Sequence, residues 1–207
     1  MDSLIEKLRE LQNSEINRIV EERLSEFASF KNKSEDDWFS ELCFCILTAN
    51  AKQKTGAAIQ AQINAAGFKT LSQESLTDLI KINKHRFHNT KAKYIIAARQ
   101  HTGLKPLLLN KTEKDSRDWL VNNVKGIGMK EASHFLRNTG AQNLAILDRH
   151  ILNLLQEQDI IKKPDKLSIE NYKKIEKKCA DIASKLRISL AKLDLLMWYM
   201  QTGEVLK

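Results

Sequence analysis

The chain has 207 residues, with 34 Lys or Arg against 26 Asp or Glu and a formal net charge of +8. This length suits one large domain or two small ones that share an interface, and it excludes a need for crosslinks to stabilise a core. The positive charge would attract a polyanion, so nucleic acid is the leading partner, with a solvated lysine-rich surface as the alternative.

The N-terminal sequence MDSLIEKLRE lacks the apolar core of a signal peptide. No run approaches the roughly 18 apolar residues that would indicate a membrane span. We therefore expect a soluble, cytoplasmic protein with no membrane partner.

Helical periodicity dominates the chain. Two prolines and seven glycines interrupt it, and apolar residues between them recur at spacings of three and four. Ile16, Val20, Leu24 and Phe27 form one such stripe. The pattern predicts an all-α fold.

Helix boundaries can be predicted from Ser34 onwards. Ser34 precedes three acidic residues, which is typical of an N-cap, and predicts a helix that ends near Asn50. Further helices are predicted at 53–65, 74–82, 90–101, 115–124, 130–137, 149–157 and 168–200, the last of them broken. The stretches 103–115 and 159–168 are predicted connections.

Cysteine and histidine patterns do not indicate a metal site. Cys43 and Cys45 would point about 200° apart around a helix, so they cannot share a metal or a disulfide. We interpret them as buried thiols in a reducing compartment. His85 and His88 have a spacing that suits a metal, but no third ligand accompanies them, and we expect both at the surface or facing DNA.

The sequence VKGIGMK at 124–130 predicts a tight turn between two helices, with Ile127 anchoring it to the core. Gly126 and Gly128 would let a polyanion approach the backbone closely. Unpaired N–H groups at the start of the second helix, with Lys125 beside them, predict a phosphate site. A plain helix-to-helix corner is the alternative reading.

Lys130 stands in the first turn of the second helix, where a cation opposes the helix dipole by roughly 0.3 to 1 kcal/mol. The position favours the neutral amine and predicts a lowered pKa. A nucleophilic lysine requires a lowered pKa, because at its usual pKa of about 10.4 the amine is almost wholly protonated at neutral pH. From position alone, an exposed lysine touching phosphate is the favoured alternative.

Asp148 follows in LDRHI at 147–151. A helix advances only about 1.5 Å per residue and an extended chain up to roughly 3.3 Å, so the connection could return Asp148 beside Lys130 in one cleft. Asp148 is equally well placed as a helix N-cap. The two roles are compatible, since a rigid capping carboxylate could stabilise nearby cationic charge.

The hairpin VKGIGMK, together with an aspartate 18 positions after its lysine, resembles the helix-hairpin-helix, glycine-and-aspartate superfamily of DNA glycosylases. LCFCILTANAKQKTG and RFHNTKAKYI look like other family segments, so the resemblance spans roughly residues 35 to 155. The ending DLLMWYMQTGEVLK is similar to the archaeal-type (type 2) 8-oxoguanine DNA glycosylase/lyases. Only Cys179 follows the hairpin, which argues against relatives that hold an iron–sulfur cluster.

The resemblance implies a fold with two helical subdomains flanking a DNA-binding cleft. The central subdomain would span 35–147 and contain the hairpin at about 115–137. Segments 1–34 and 148–207 would form the second. A monomer without cofactor or metal is expected.

The resemblance also implies an activity on double-stranded DNA containing 8-oxoguanine, within base-excision repair at the nucleoid. By this resemblance, the damaged base would leave the stack, and Lys130 would attack C1′, expel the base and form a Schiff base. Loss of a C2′ proton would then release the 3′-phosphate and cleave the strand. Asp148 would stabilise the cationic sugar and orient the amine.

The remaining implied contacts concern DNA and the base. Gly126 and Gly128 would hold a phosphate, and His150 matches a DNA-contacting position, with a surface histidine as the alternative. Asn50 would fill the vacated stack or, alternatively, cap a helix.

Selection of 8-oxoguanine over guanine requires an acceptor for N7–H, because an unpaired buried donor costs roughly 1 to 3 kcal/mol. The resemblance assigns this discrimination to the C-terminal Lys207, for which a frayed terminus is the alternative. Trp198 or Phe87 could stack on the base, although such aromatic residues more often belong to the core.

Two other functions remain open from sequence. A non-catalytic module could use the hairpin only to hold phosphates, or the same chemistry could act on a mismatched adenine or an oxidised pyrimidine.

Overall fold

The computed structural model describes residues 2–101 and 103–207. Within them the chain forms twelve α-helices and a single 3₁₀ turn, with no strand, which confirms the all-α prediction. Two compact units are present: a terminal unit of Met1–Lys31 with Leu136–Lys207, and a central unit of Asn32–Phe135.

The helices divide between the units as follows. The terminal unit contains α1 (Asp2–Gln12), α2 (Glu15–Ser29), α10 (Arg149–Glu157), α11 (Ile169–Leu186) and α12 (Leu190–Thr202). The central unit contains α3 (Glu35–Thr48), α4 (Gln53–Thr70), α5 (Gln73–Ile82), α6 (His88–Ala98), α7 (Leu104–Leu109) and α8 (Glu113–Asn123). The division between the units falls within α9 (Met129–Asn138).

The central unit is built around α3, which is buried from Trp38 to its end and packs against α4, α6 and α7. Its start is fixed by a capping box, in which Ser34 accepts from the backbone N–H of Asp37 and the Asp37 side chain accepts from that of Ser34. The predicted N-cap is therefore confirmed, because a serine followed by acids satisfies the unpaired first-turn donors.

Two predicted boundaries in this unit were wrong. Helix α7 lies in the predicted connection 103–115, with Gly103 at φ +70 before it and Pro106 tolerated in its first turn. Six residues with a flanking glycine are too short to show helical periodicity. Helix α4 continues to Thr70 after an interruption at Asn64, beyond the predicted end at residue 65.

The terminal unit packs α12 against α1, α2, α10 and α11. Val20, Leu24 and Phe27 of the predicted stripe are buried. The predicted long C-terminal helix is broken, as expected, where Arg187 adopts a left-handed conformation at φ +55 between α11 and α12.

Cys43, Cys45 and Cys179 are buried and form no disulfide among the described residues, and burial was predicted for Cys43 and Cys45. Burial raises the pKa of Cys43 well above its ordinary value and that of Cys179 to about 12. Among residues 2–101 and 103–207, no helix combines the length and apolar character needed to cross a bilayer.

Candidate active site

The hairpin of the central unit connects α8 to α9. The Ile127 N–H donates to the carbonyl of Val124 at 3.3 Å, and Ile127 is buried as predicted. The carbonyl of Gly128 accepts from the Ala132 N–H at 2.9 Å, so α9 begins directly after this glycine. The first-turn N–H groups of α9 have no partner within the helix.

Gly126 adopts φ +86, a left-handed conformation. An added Cβ would lie 2.3 Å from Cδ2 of Tyr94, which projects from α6 against the turn. Both the backbone angle and this contact require glycine here. At Gly128, an added Cβ would lie 3.3 Å from Oε2 of Glu131.

Lys130 lies in the first turn of α9, with its side chain 27% exposed. Its Nζ forms an ion pair with Oε1 of Glu131 at 3.1 Å, and the Glu131 side chain is itself mostly buried. The amine is therefore oriented by a carboxylate from the adjacent residue while remaining partly accessible. Lys125, in the turn, is exposed.

A further lysine, Lys91 of α6, belongs to this cluster and was missed from sequence. It is 5% exposed. Burial lowers its pKa to about 8, the Glu131 carboxylate acts to raise it, and the charge of Lys130 lowers it. Lys91 is in register with the buried Ile95 and Ala98, so a lysine at a core position was the available signal.

His85, before α6, is only 3% exposed, so its expected position at the surface or facing DNA was wrong. Its Nδ1 accepts from the Phe87 N–H at 3.1 Å, and Nε2 lies 2.8 Å from the carbonyl of Leu47. These bonds fit a neutral imidazole that ties the α6 turn to α3, and burial lowers the pKa of His85.

Phe87 and Asn50 also lie in the central unit. Phe87 is partly buried, with Cζ of Arg86 at 4.3 Å from its ring centroid. Asn50 is exposed at φ +59, two residues beyond the end of α3 at Thr48. A left-handed asparagine is common after a helix, which supports the capping role and leaves the side chain available to DNA.

Asp148 lies in the terminal unit as the N-cap of α10, which confirms the capping prediction. Its Oδ1 accepts from the Ile151 N–H at 2.9 Å. The preceding segment 144–147 is held by α11, where Tyr172 Oη donates to the Ala145 carbonyl at 2.6 Å and accepts from the Leu147 N–H at 3.3 Å. The carboxylate is therefore attached to a buried, hydrogen-bonded segment.

His150 and Trp198 meet in the same unit. Their ring centroids are 5.0 Å apart at an interplanar angle of 73°, an edge-to-face contact. The Trp198 Nε1 is buried and has no acceptor among the described residues. Lys207 is partly exposed in the tail that follows the left-handed Gly203.

Comparison with known proteins identifies the family. The sequence model described as 8-oxoguanine DNA glycosylase matches residues 20–188. The chain belongs to this family. It is 48% identical over 206 residues to an "8-oxoguanine DNA glycosylase/AP lyase" of Methanocaldococcus jannaschii, covering 99% of each chain.

Two crystal structures of members of this 8-oxoguanine DNA glycosylase family have closely similar folds. The M. jannaschii 8-oxoguanine glycosylase/lyase, in complex with a 15mer DNA containing 8-oxoguanine, matches with a TM-score of 0.96 over 99% of this chain and 100% of that one. The Thermotoga maritima 8-oxoguanine DNA glycosylase is 37% identical, with a TM-score of 0.93 over 100% of this chain and 99% of that one. The resemblance inferred from the hairpin motif is therefore confirmed.

Membership in the 8-oxoguanine DNA glycosylase family does not itself assign side-chain roles. The central unit brings together the hairpin, Lys130, Glu131 and Lys91, and the terminal unit brings together Asp148, His150 and Trp198.

Proposed function

We propose that this protein removes 8-oxoguanine from double-stranded DNA through a Schiff base on Lys130 and then cleaves the strand by β-elimination. The observation that carries the proposal is the end-to-end similarity to a protein named 8-oxoguanine DNA glycosylase/AP lyase, 48% identical over 206 residues. The fold also matches that of a relative crystallised with DNA containing 8-oxoguanine.

Lys130 is the nucleophile in this proposal. Its neutral amine attacks C1′, the bond from C1′ to the base breaks, and the departing base takes the electron pair and a proton. The nitrogen lone pair then displaces O4′ from C1′, and O4′ takes up the remaining amine proton, which gives the ring-opened Schiff base. Removal of a C2′ proton then expels the 3′-phosphate, so one lysine accounts for both activities.

Asp148 supplies a fixed negative charge. Because its Oδ1 is held by the Ile151 N–H at 2.9 Å, the carboxylate needs no reorganisation when positive charge develops on the sugar. Preorganised charge of this kind stabilises a transition state more effectively than a mobile side chain does.

DNA is held through the hairpin in this proposal. The exposed Lys125 and the first-turn N–H groups of α9, which follow Gly126 and Gly128 and have no partner within the helix, suit a phosphate, and His150 provides a further contact. Asn50, exposed beyond α3, fills the space left by the flipped nucleotide.

The base pocket uses the C-terminal part of the chain. A main-chain oxygen of Lys207 would accept from N7–H of 8-oxoguanine, which guanine lacks. The buried Nε1 of Trp198 has no acceptor among the described residues, so a polar edge of the base could satisfy it. Phe87 is a second aromatic candidate for stacking.

A borohydride experiment tests the nucleophile. Reduction of the Schiff base should give a covalent complex between the protein and a duplex containing 8-oxoguanine, and Lys130→Gln should abolish it. Lys114→Gln, at an exposed position of α8, is the matched control. Normal trapping and excision by Lys130→Gln would show that another group attacks C1′.

A panel of lesion duplexes tests the substrate. We expect 8-oxoguanine to be excised in preference to a mismatched adenine or an oxidised pyrimidine. Salt-sensitive binding with no base release from any duplex would instead identify a non-catalytic module.

We also infer a monomer that acts on cellular DNA without an iron–sulfur cluster. Only Cys179 follows the hairpin, so this part of the chain cannot supply four cysteine ligands. Light scattering of the protein alone and bound to a lesion duplex would test the oligomeric state.

A further inference from the structure

Positive charge in the terminal unit is concentrated in one segment. Residues 162–187, which comprise most of the connection after α10 and all of α11, carry nine Lys or Arg against four Asp or Glu, a formal charge of +5. The remainder of the unit carries nine Lys or Arg against twelve Asp or Glu, a formal charge of −3. A surface with such an excess of one sign attracts partners of the opposite sign. The candidate active-site residues do not lie in this segment.

Helix α11 separates its apolar and its charged residues onto two faces. The buried face, on the side of α1 and α12, contains Tyr172, Ile175, Cys179 and Ile182. The exposed face contains Lys173, Lys174, Lys177 and Lys178. Because residues three and four apart are neighbours on a helix surface, these four lysines form one stripe, about 7.5 Å long at 1.5 Å per residue.

The connection before α11 adds two lysines to this stripe. Lys178 Nζ donates to the Ile160 carbonyl at 2.6 Å, which holds the connection beside α11, and Lys162 and Lys163 follow directly. Lys163 Nζ donates to Oδ1 of Asn153 at 2.6 Å. Both acceptors are neutral, so these bonds hold the ammonium groups without compensating their charge. We name the following residues the α11 basic surface: Lys162, Lys163, Lys173, Lys174, Lys177 and Lys178.

The acidic residues of the segment do not cancel this charge. Glu170 pairs with Lys174 at 2.6 Å, but the two side chains are 77% and 68% exposed, and such surface pairs are weak in water. Glu176 lies on the buried face. Asp165 and Asp181 are exposed and form no ion pair within 4.0 Å in the described part of the chain. The α11 basic surface therefore keeps an excess of positive charge towards solvent.

We propose that the α11 basic surface binds the phosphate backbone of double-stranded DNA without regard to sequence or damage. Duplex DNA carries about one negative charge per 1.7 Å of its axis, so a stripe of this length faces several phosphates. Contacts of this kind would retain the protein on undamaged DNA while it moves between sites. The inference goes beyond excision and does not depend on Lys130 being the nucleophile.

The composition of the surface favours DNA over an acidic protein segment. All six residues are lysines, and lysine is depleted in protein–protein interfaces, whose centres are formed by aromatic and apolar side chains. Lysine is, in contrast, a common contact to phosphate oxygens, where it acts as a point charge. A surface of lysines alone therefore suits a uniformly charged backbone better than a folded partner.

The experiment measures the affinity for an undamaged duplex as a function of salt concentration. Each phosphate contact contributes about 0.9 to the slope of log affinity against log salt. The triple variant Lys162→Gln/Lys173→Gln/Lys177→Gln should therefore reduce the slope by about 2 to 3 and weaken binding at low salt by roughly tenfold or more. The charge-retaining variant with arginine at the same three positions should keep the slope of the wild type.

A second triple variant, Lys7→Gln/Arg9→Gln/Arg18→Gln, is the matched control. It makes the same change in net charge at exposed positions of α1 and α2 in the same unit, where acidic residues are adjacent. Its slope should stay within about 0.5 of the wild type. Equal reductions in the two triple variants would overturn the proposal, because the effect would then come from net charge alone.

Two other results would also overturn the proposal. One is an unchanged slope in the α11 variant. The other is loss of binding to polyglutamate with unchanged duplex binding, which would indicate an acidic protein partner. Thermal unfolding is measured in parallel, and if the triple variant does not fold, Lys177→Gln decides alone through a reduction of about 1 in the slope.

The proposed function fails separately. Single-turnover excision of 8-oxoguanine at saturating protein should be unchanged in the α11 variant, because its three residues lie outside the candidate active site. Trapping by Lys130→Gln would overturn the assignment of the nucleophile and leave this inference intact. Normal trapping by the wild type together with an unchanged salt slope in the α11 variant would overturn only the role of the α11 basic surface.

Discussion

The ring of Tyr94 lies against Gly126 so closely that an added Cβ would come within 2.3 Å of its Cδ2 atom. The same glycine adopts φ +86. Gly126→Ala should therefore lower the free energy of unfolding by on the order of 3 kcal/mol, combining left-handed strain with overpacking. Thermal or denaturant unfolding followed by circular dichroism measures this loss.

A substitution at Gly103 separates the effect of backbone strain from that of overpacking. Gly103 adopts φ +70, but an added Cβ there would meet nothing within 4 Å. Gly103→Ala should cost only the backbone strain, about 1 to 2 kcal/mol. Replacing Tyr94 by leucine should recover part of the loss in Gly126→Ala. Equal losses at the two glycines would mean that the Tyr94 contact is unimportant.

Asp148 combines a structural and a proposed chemical role, and a single change can separate them. Asparagine caps helices about as well as aspartate, so Asp148→Asn should retain stability. Because the fixed negative charge is lost, the excision rate should fall by at least tenfold. Asp148→Ala should lose activity and, in addition, about 1 kcal/mol of stability.

Ser168 provides the control for capping. Its side chain accepts from the Asn171 N–H at 3.1 Å at the start of α11, in the same unit. Ser168→Ala should lose about 1 kcal/mol without loss of excision. Wild-type excision by Asp148→Asn would assign Asp148 to helix capping alone.

Tyr172 holds the segment 144–147 that leads into Asp148. Tyr172→Phe would leave the buried Ala145 carbonyl and Leu147 N–H without their hydroxyl partner, at a cost of about 1 to 3 kcal/mol. Excision should also slow, because the Asp148 carboxylate is attached to this segment. Unfolding and single-turnover rates measure the two effects.

The hydroxyl of Tyr199, on α12 of the same unit, makes no hydrogen bond within the described residues. Tyr199→Phe is therefore the matched control and should change neither quantity. An unchanged excision rate in a stable Tyr172→Phe protein would show that the segment positions Asp148 without this hydroxyl.

Much of the fold could be predicted from local signals in the sequence. The caps at Ser34 and Asp148 are readable because each side chain bonds to a backbone N–H three residues away. The hairpin motif and the spacing to Asp148 were enough to identify the family. Helix α7 was missed because six residues around Pro106 carry no periodic signal.

Long-range features were not predictable in the same way. The burial of His85 depends on a bond to the Leu47 carbonyl, 38 residues away in sequence. The register of Lys91 with Ile95 and Ala98 was a sequence signal for its burial, but its neighbours on α9 are known only from the structure, since a lysine in a helix normally faces solvent. Residues whose role depends on a distant partner require the structure.

Arg137 and Asp194 are far apart in sequence and form a buried ion pair. Arg137 Nη1 donates to Asp194 Oδ2 at 2.7 Å, joining α9 to α12, and the two side chains are 5% and 9% exposed. The Arg137 guanidinium also lies 4.7 Å from the Phe27 ring centroid. Removing one member of a buried pair leaves the other charge poorly compensated, whereas removing both does not.

Arg137→Met should therefore lower the free energy of unfolding by about 3 to 5 kcal/mol, and Asp194→Leu by a similar amount. The double variant should lose much less than the sum of the two, and a double-mutant cycle from denaturant unfolding gives the coupling. Additive losses would show that the two charges are compensated independently. In that case the stability of this part of the terminal unit would come from its apolar packing, because the ion pair would contribute no coupling of its own.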